Sequence, residues 1–363
     1  MDMKWKVPQF VSPIGDEEAV AVSECVRSGW ITEGARSEEF IAKVSEIAGV
    51  QYGVLAPNGT LALYLALKAC GVGAGDKVLV PDLTFIATAT AVIMVGAEPV
   101  FTDVDEYGQM PLGAAADWEG YTLPVHLYGM ASAAATVQQD RCIEDACQGL
   151  GVKLFNKPCG SLGRASAFSF FADKTITTGE GGFVGTNDES VYEHLRYLRN
   201  QGRIDRGSFV HPAIGQNFRM TDVQAAIGLV QLSKMDEIVR RKRDAFASYA
   251  EQLEGIVELL QPPPGSSHIP FRAVALFPGD ASNVAKFLKE RGIEPRSAFY
   301  PLHLQPCFQS LRPVQPDDSW RFRNSIHFWD HALCLPTFPG IKQEQIDWVC
   351  DSIKESVREG GSK

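Results

Sequence analysis

The sequence predicts an α/β protein in two units: a large one over residues 1–235, built on a mostly parallel sheet, and a smaller α/β one over residues 236–363. Three observations carry this. At 363 residues the chain exceeds what one simple core serves, so a large unit with a smaller companion is expected. Over residues 50–185 short apolar runs alternate with helical stretches, the rhythm of strand-helix-strand units whose strands lie parallel. Pro262-Pro263-Pro264-Gly265 then breaks the chain after a long helical pattern, and new short elements follow.

The elements follow in order. Residues 52–55 form a strand that runs into Pro57-Asn58-Gly59-Thr60 and then into a helix over residues 61–70, dominated by leucine and alanine. A strand over 77–80, a helix over 87–95 and a strand over 99–103 come next. Residues 122–127 and 142–144 are expected as strands whose connections leave room only for short helices. Residues 167–170 and 182–186 form a strand pair around a lysine-bearing loop. Past Asn217, the spacing of Val223, Ile227 and Val230 predicts one long amphipathic helix that continues through Arg240-Arg241-Lys242-Arg243, with those basic side chains on a solvated face. A strand over 271–276, a helix over 281–291 and a terminal helix over 343–358 complete the smaller unit.

Hydrophobic residues at 45% and charged residues at 21%, with 33 glycines and 21 prolines, describe a globular chain with many turns and exclude a disordered or fibrous one. The formal net charge of −10 opposes general binding of nucleic acid or of an anionic membrane, so a phosphate ligand needs a local site. The eight cysteines are scattered, with no Cys-x-x-Cys pair and no metal-like cluster; reduced, mostly buried thiols and no metal are expected. The amino terminus lacks an apolar targeting core, and no apolar stretch is long enough to span a bilayer, so a soluble cytoplasmic enzyme is expected.

Three places carry chemistry. In Ser169-Phe-Phe-Ala-Asp-Lys174 an apolar approach ends at one lysine, and a glycine-rich turn reaching Gly182 follows. A primary amine becomes a useful nucleophile when burial or neighbouring cations lower its pKa, and a lysine at a strand end in a cleft can meet both conditions. Asp145 closes a short apolar strand at its carboxyl end, where open α/β sheets place ligand contacts; capping a short helix is the alternative. Asn58-Gly59-Thr60, at a strand-to-helix junction, offers amides, a helix dipole and a hydroxyl to a phosphate, with plain helix capping as the alternative. Together, lysine, acid and phosphate site suit pyridoxal 5'-phosphate, whose ring becomes an electron sink when a carboxylate keeps its nitrogen protonated. Gly71-Val-Gly-Ala-Gly75 is not a dinucleotide motif, because it follows a helix, precedes a strand and has Asp76 at the sixth position.

These motifs resemble, nearly end to end, the sugar aminotransferases of the DegT/DnrJ/StrS family. The resemblance lies in Gly29-Trp-Ile-Thr-Glu-Gly34, Asn58-Gly-Thr-Leu-Ala-Leu63, Pro124-Val-His-Leu-Tyr-Gly129, Glu144-Asp-Ala-Cys-Gln148, Phe168-Ser-Phe-Phe171 through Thr177-Thr-Gly-Glu-Gly-Gly182, and Asn217-Phe-Arg-Met-Thr-Asp222. It implies the PLP-dependent aminotransferase fold type I. Within the family, the lysine loop and Gly292-Ile-Glu-Pro-Arg296 followed by Pro301-Leu-His303 are most similar to GDP-perosamine synthases and related sugar 4-aminotransferases.

By this resemblance Lys174 forms a Schiff base with pyridoxal phosphate, Asp145 pairs with the pyridine nitrogen, Gln148 approaches the phenolic oxygen and Phe85 stacks on the ring. Gly59, Thr60 and Ser169 take the phosphate, and Asn217 reaches it from the partner subunit, which implies a homodimer with shared active sites. His126, Arg219 and His303 are candidate substrate contacts, each with a structural role as its alternative. Shortened segments around residues 124–129 and Cys147 in place of a frequent alanine depart from the family but leave the chemical positions intact. The implied reaction moves an amino group from L-glutamate to a nucleotide-linked keto-deoxysugar, at C4, with Lys174 moving the proton. C3 of a dTDP- or UDP-linked sugar and C8 of a keto-octulosonate stay open, as does a non-catalytic nucleotide-sugar-binding or regulatory protein. Lys174 argues against a sugar dehydratase on the same fold, which has histidine at that position.

Overall fold

The computed structural model describes residues 5–203, 207, 209–309 and 318–360. Its main sheet is built from β1 (Tyr52–Ala56), β2 (Lys77–Pro81), β3 (Glu98–Thr102), β4 (Tyr121–Thr122), β5 (Ile143–Asp145), β6 (Ala165–Ser169) and β7 (Gly182–Thr186). β2 pairs in parallel with β3 and β4, and β5 pairs in parallel with β6. The parallel bridges Thr122↔Cys142 and Val125↔Asp145 join these groups, and β7 lies antiparallel between β6 and β1. The order is therefore 3-2-4-5-6-7-1, mostly parallel as the sequence predicts, with β7 reversed. Strands of this sheet are covered on both faces, which explains why Val78, Val80, Ile143, Ala165, Ala167 and Val184 are all buried.

Before the sheet come α1 (Asp16–Arg27) and α2 (Ala35–Ala48); between its strands lie α3 (Gly59–Ala69), α4 (Ala87–Met94) and the short α5 (Leu112–Ala116). α3 is apolar nearly all round because it is buried against β6, β7 and α4, and Leu63, Leu65 and Leu67 are at most 1% exposed. Each such leucine contributes about 1.5–3 kcal/mol of burial. After the sheet run α6 (Glu189–Arg199), α7 (Asp222–Ser233) and α8 (Met235–Gln252). A second, antiparallel sheet, in the order 8-9-11-10, comprises β8 (Glu258–Leu259), β9 (Ala273–Leu276), β10 (Arg296–Ser297) and β11 (Ala332–Leu335). It packs with α8, α9 (Ala281–Glu290), α10 (Arg323–His331) and α11 (Gln343–Gly360), and its core also recruits Val7, which bridges to Ile293.

Three local expectations are corrected. β4 stops at Thr122: Pro124 has no amide to donate, and Tyr128 and Gly129 turn the chain with φ of 57° and 82°. A side chain at position 129 would put its Cβ 1.8 Å from the Ile269 carbonyl oxygen, so only glycine fits that turn. The single helix expected past Asn217 is two, α7 and α8, separated at Lys234, whose ammonium is anchored to Glu17 and Glu18 of α1 at 2.7 and 2.9 Å. The basic run is not wholly solvated either. Arg240 and Arg241 are exposed and paired with Glu237, but Lys242 faces inward and is 2% exposed.

Candidate active site

β1, β2, β5 and β6 run in the same direction, so their carboxyl ends share one edge of the sheet. β1 leads to Asn58-Gly59-Thr60, β2 to Asp82 and Phe85, β5 ends on Asp145, and β6 ends on Ser169 just before Lys174. The parallel topology thus brings distant motifs to one place.

Asp145 is 4% exposed, and both of its oxygens are held: Oδ2 accepts from the Thr88 hydroxyl at 2.8 Å and Oδ1 from the Cys147 amide at 3.1 Å. Thr84 Oγ1, 3.1 Å from Thr88 Oγ1, extends the chain of hydroxyls. Successive strand residues point to opposite faces, so the neighbouring Glu144 turns the other way. It is completely buried and accepts from the amides of Gly160, Leu162 and Gly163 at 2.7 to 2.8 Å. Gln148 Oε1 accepts from the Tyr128 amide at 2.7 Å, which leaves its NH2 as the end able to donate to a ligand oxygen.

At the tip of α3, Asn58 Oδ1 takes the Leu61 amide and Asn58 O takes the Ala62 amide, both at 3.0 Å. Among the described contacts the amides of Gly59 and Thr60 have no protein acceptor, so a helix N-terminus with two donors is left for an anion. A Cβ on Gly59 would lie 2.8 Å from Ser169 Cβ and 3.0 Å from Cys147 Sγ, so helix tip and β6 end meet without room for a side chain. Cys147 links the site further. Burial first, then the Asp145 carboxylate, pushes its thiol well above the ordinary value, while the positive Lys174 opposes this.

The Lys174 loop is tied down by its own backbone. The Lys174 amide donates to Phe171 O at 3.0 Å, and Thr177 Oγ1 and the Thr178 amide both return to Phe170 O. Lys174 Nζ lies 4.5 Å from the centre of the Phe271 ring, and the Arg272 guanidinium lies 4.4 Å from the same ring. Asp173 pairs with Arg272 and, at 3.5 Å, with Arg296. Phe85 is 55% exposed, and its ring is 6.1 Å from Phe299, which stacks on Tyr128 at 5.9 Å.

Two of the expected substrate contacts, His126 and His303, are buried and bonded within the chain. His126 is completely buried, with Nε2 2.8 Å from Glu144 Oε2 and the Ser132 amide donating to Nδ1 at 3.0 Å. Both ring nitrogens are therefore engaged within the chain, and although burial opposes the charge, Cys159 and Glu144 beside the ring raise His126 to about 10. His303 is 3% exposed, bonds Asp82 Oδ2 through Nδ1 at 2.6 Å and stacks on Phe322 at 4.1 Å. It clamps the end of β2 to the chain beyond β10, and burial raises the Asp82 carboxyl above its ordinary value against the pull of this histidine. Arg219 donates to Asn217 Oδ1 at 2.8 Å and to Asn200 Oδ1 at 3.4 Å. Asn217 itself is exposed and bridges to Asn200, outside the contacts around Asp145 and Lys174.

The sequence does not single out Thr88, Phe271 or Arg272, and it places Lys242 on a solvated face. Thr88 had a local signal, a second threonine four residues after Thr84 at a helix start; Phe271 and Arg272 lie beyond the proline run and had none. The Gly29-to-Gly34 and Asn217-to-Asp222 motifs also meet. Asp222 Oδ1 accepts from the Gly34 and Ser37 amides at 2.8 and 2.9 Å, which fixes the start of α2.

The DegT/DnrJ/EryC1/StrS aminotransferase family model matches residues 13–354. A GDP-perosamine synthase of Escherichia coli O157:H7 is 34% identical over 96% of this chain and 98% of its own length. A UDP-N-acetyl-3-dehydro-alpha-D-glucosamine 3-aminotransferase of Acidithiobacillus ferrooxidans is 33% identical over 95% of each. A solved aminotransferase of the same family from Brucella abortus is 30% identical, covers 93% of this chain with 95% of its own, and superposes with a TM-score of 0.85. A chain matched along nearly its whole length by this family model, with a lysine, a fixed carboxylate and an open helix tip at one sheet edge, belongs to the DegT/DnrJ/EryC1/StrS family and is a pyridoxal phosphate-dependent sugar aminotransferase.

Proposed function

We propose that the protein transfers the amino group of L-glutamate to the C4 ketone of a nucleotide-linked keto-deoxysugar, working as a homodimer with shared active sites. The observation that carries the choice of C4 is the 34% identity to a GDP-perosamine synthase over nearly both full lengths. The 3-aminotransferase relative at 33% identity keeps C3 as the second reading. The large unit of the proposed enzyme is residues 1–235 and the small one residues 236–363.

The residues present fit the cofactor. The free amides of Gly59 and Thr60, with Ser169 packed against Gly59, would hold a phosphate. Asp145, fixed by Thr88 and Cys147, would face the ring nitrogen, the Gln148 NH2 the phenolic oxygen, and Phe85 the ring face. Bound there, pyridoxal phosphate supplies an electron sink for the bond broken beside nitrogen. The Lys174 amine would hold the cofactor and would serve as the base that accepts the proton from the donor's α-carbon in one half of the reaction and as the acid that delivers one to the sugar carbon in the other. The nucleotide diphosphate, bound away from the reacting carbon, positions the ketone. The exposed Asn217, with the exposed apolar side chains of Trp30, Ile31, Phe85 and Phe171, supports completion of each site by a second copy.

The test is the reverse reaction: enzyme with 2-oxoglutarate and a panel of 4-amino and 3-amino nucleotide sugars, with glutamate release measured. Release from a 4-amino sugar is expected. Release from 3-amino sugars alone overturns the position, and no release from any, in protein that carries the cofactor, points to a binding or regulatory protein.

A further inference from the structure

The most unusual side chain near the lysine loop is a second lysine. Lys242 lies on α8, is 2% exposed, and has one hydrogen-bond acceptor among the described contacts, Thr337 O at 3.1 Å, for three N–H groups. Its Nζ is 5.9 Å from the centre of the Phe271 ring, the same ring approached by Lys174 and Arg272. The charged groups that face it are Arg272 beside β9, and Asp173 and Lys174 on the lysine loop. Asp173 is the one anion of that set and is already bonded by Arg272 and Arg296. A buried ammonium without its own carboxylate is strongly disfavoured. Accordingly burial first, then Arg272, and also Lys174, bring Lys242 down to about 7, with Asp173 opposing.

We propose that Lys242 is a positioning residue for Lys174: a buried amine behind Phe271 that takes up a proton when negative charge enters the site, and so keeps the charge around the reactive lysine balanced. The proposal rests on the aminotransferase reading, because the entering charge is that of a phosphate or a substrate carboxylate. An amine half-protonated near neutrality responds to a small change in local potential, whereas a fully charged or fully neutral one does not.

Two measurements test it, each on the full chain with Lys242→Met, which keeps the length of the side chain and removes the charge; Lys242→Gln serves in the same measurements if the methionine variant does not accumulate. In the first, cofactor-free protein is unfolded with denaturant across pH. The unfolded lysine titrates at about 10.4, above the folded value, so between about pH 7 and 10 the unfolded chain holds more protons. The wild-type midpoint must therefore rise relative to the variant's as pH increases through that window; parallel midpoints overturn the proposal. In the second, pyridoxal phosphate is titrated into both proteins by calorimetry at pH 7 in two buffers of different ionisation heat. The wild type is expected to take up more protons than the variant, by a fraction of a proton, with the difference vanishing near pH 5. Equal uptake in the two proteins overturns the proposal while leaving the aminotransferase reading intact. Failure of the wild type to bind pyridoxal phosphate overturns the aminotransferase reading and this proposal with it.

Discussion

Thr88→Val isolates the contact that ties α4 to the Asp145 carboxylate. The two side chains have nearly the same shape, so the change removes the hydroxyl, with its contacts to Asp145 and Thr84, and little else. Asp145 is 4% exposed, so water does not readily replace the lost donor, and the carboxylate keeps the Cys147 amide at 3.1 Å and the Cys147 thiol beside it. A hydrogen bond to a charged group contributes about 1.5–3 kcal/mol, against about 0.5–1.5 kcal/mol between neutral groups. The folded cofactor-free protein should therefore lose about 1.5–3 kcal/mol, read as a shift of the denaturant midpoint at unchanged slope. Thr88→Ser should retain most of it. A double-mutant cycle with Asp145→Asn makes the test specific: beside the neutral amide, Thr88→Val should cost only about 0.5–1.5 kcal/mol. An equal cost in both backgrounds would show that the hydroxyl does not serve the carboxylate and would refute the reasoning.

Gly59→Ala places a Cβ 2.8 Å from Ser169 Cβ, and overpacking there should destabilise by about 1–3 kcal/mol and weaken pyridoxal phosphate binding, measured by its absorbance on titration. His126→Phe leaves Glu144 and the Ser132 amide short of a partner and should lower stability by about 2–4 kcal/mol while the KM for the sugar substrate stays unchanged; a changed KM alone would restore His126 to the pocket. His268 is held down to about 4 by burial, then by Arg243, so between about pH 6.5 and 4 the unfolded chain binds the extra proton and stability falls as pH falls. His268→Gln should flatten that part of the pH–stability curve. Mixing inactive Lys174→Ala and Asn217→Ala chains should restore about a quarter of wild-type activity, since half of randomly formed dimers are hybrids with one intact site; no restoration would place Asn217 in its own chain's site.

The placing of the candidate site's motifs at one sheet edge was legible because it depends on short stretches of backbone. Asn58-Gly59-Thr60 needs only a strand, a turn and a helix start, and Asn58 does cap α3 while leaving two amides open. Asp145 at the end of a buried strand, and Lys174 in a loop between paired strands, follow from patterns a few residues long. The histidines were not legible in this way. A histidine after an apolar run looks the same whether its ring meets a ligand or Glu144, and the choice was made by amides at Ser132 and by the burial of β5. Lys242 was misplaced for a similar reason. The basic run has one helical phase, but which of its residues faces inward depends on the break at Lys234 and on Phe271 arriving from beyond the proline run.

The sequence by itself determined most of the elements, the parallel architecture and the loop that carries Lys174, because helix propensity, apolar periodicity and glycine turns act over a few neighbouring residues. Only the tertiary structure decided which charges became partners. It set Thr88 on Asp145, Glu144 on His126, Asp82 on His303, and two lysines and an arginine around Phe271, since electrostatics and burial depend on distances between segments far apart in the chain.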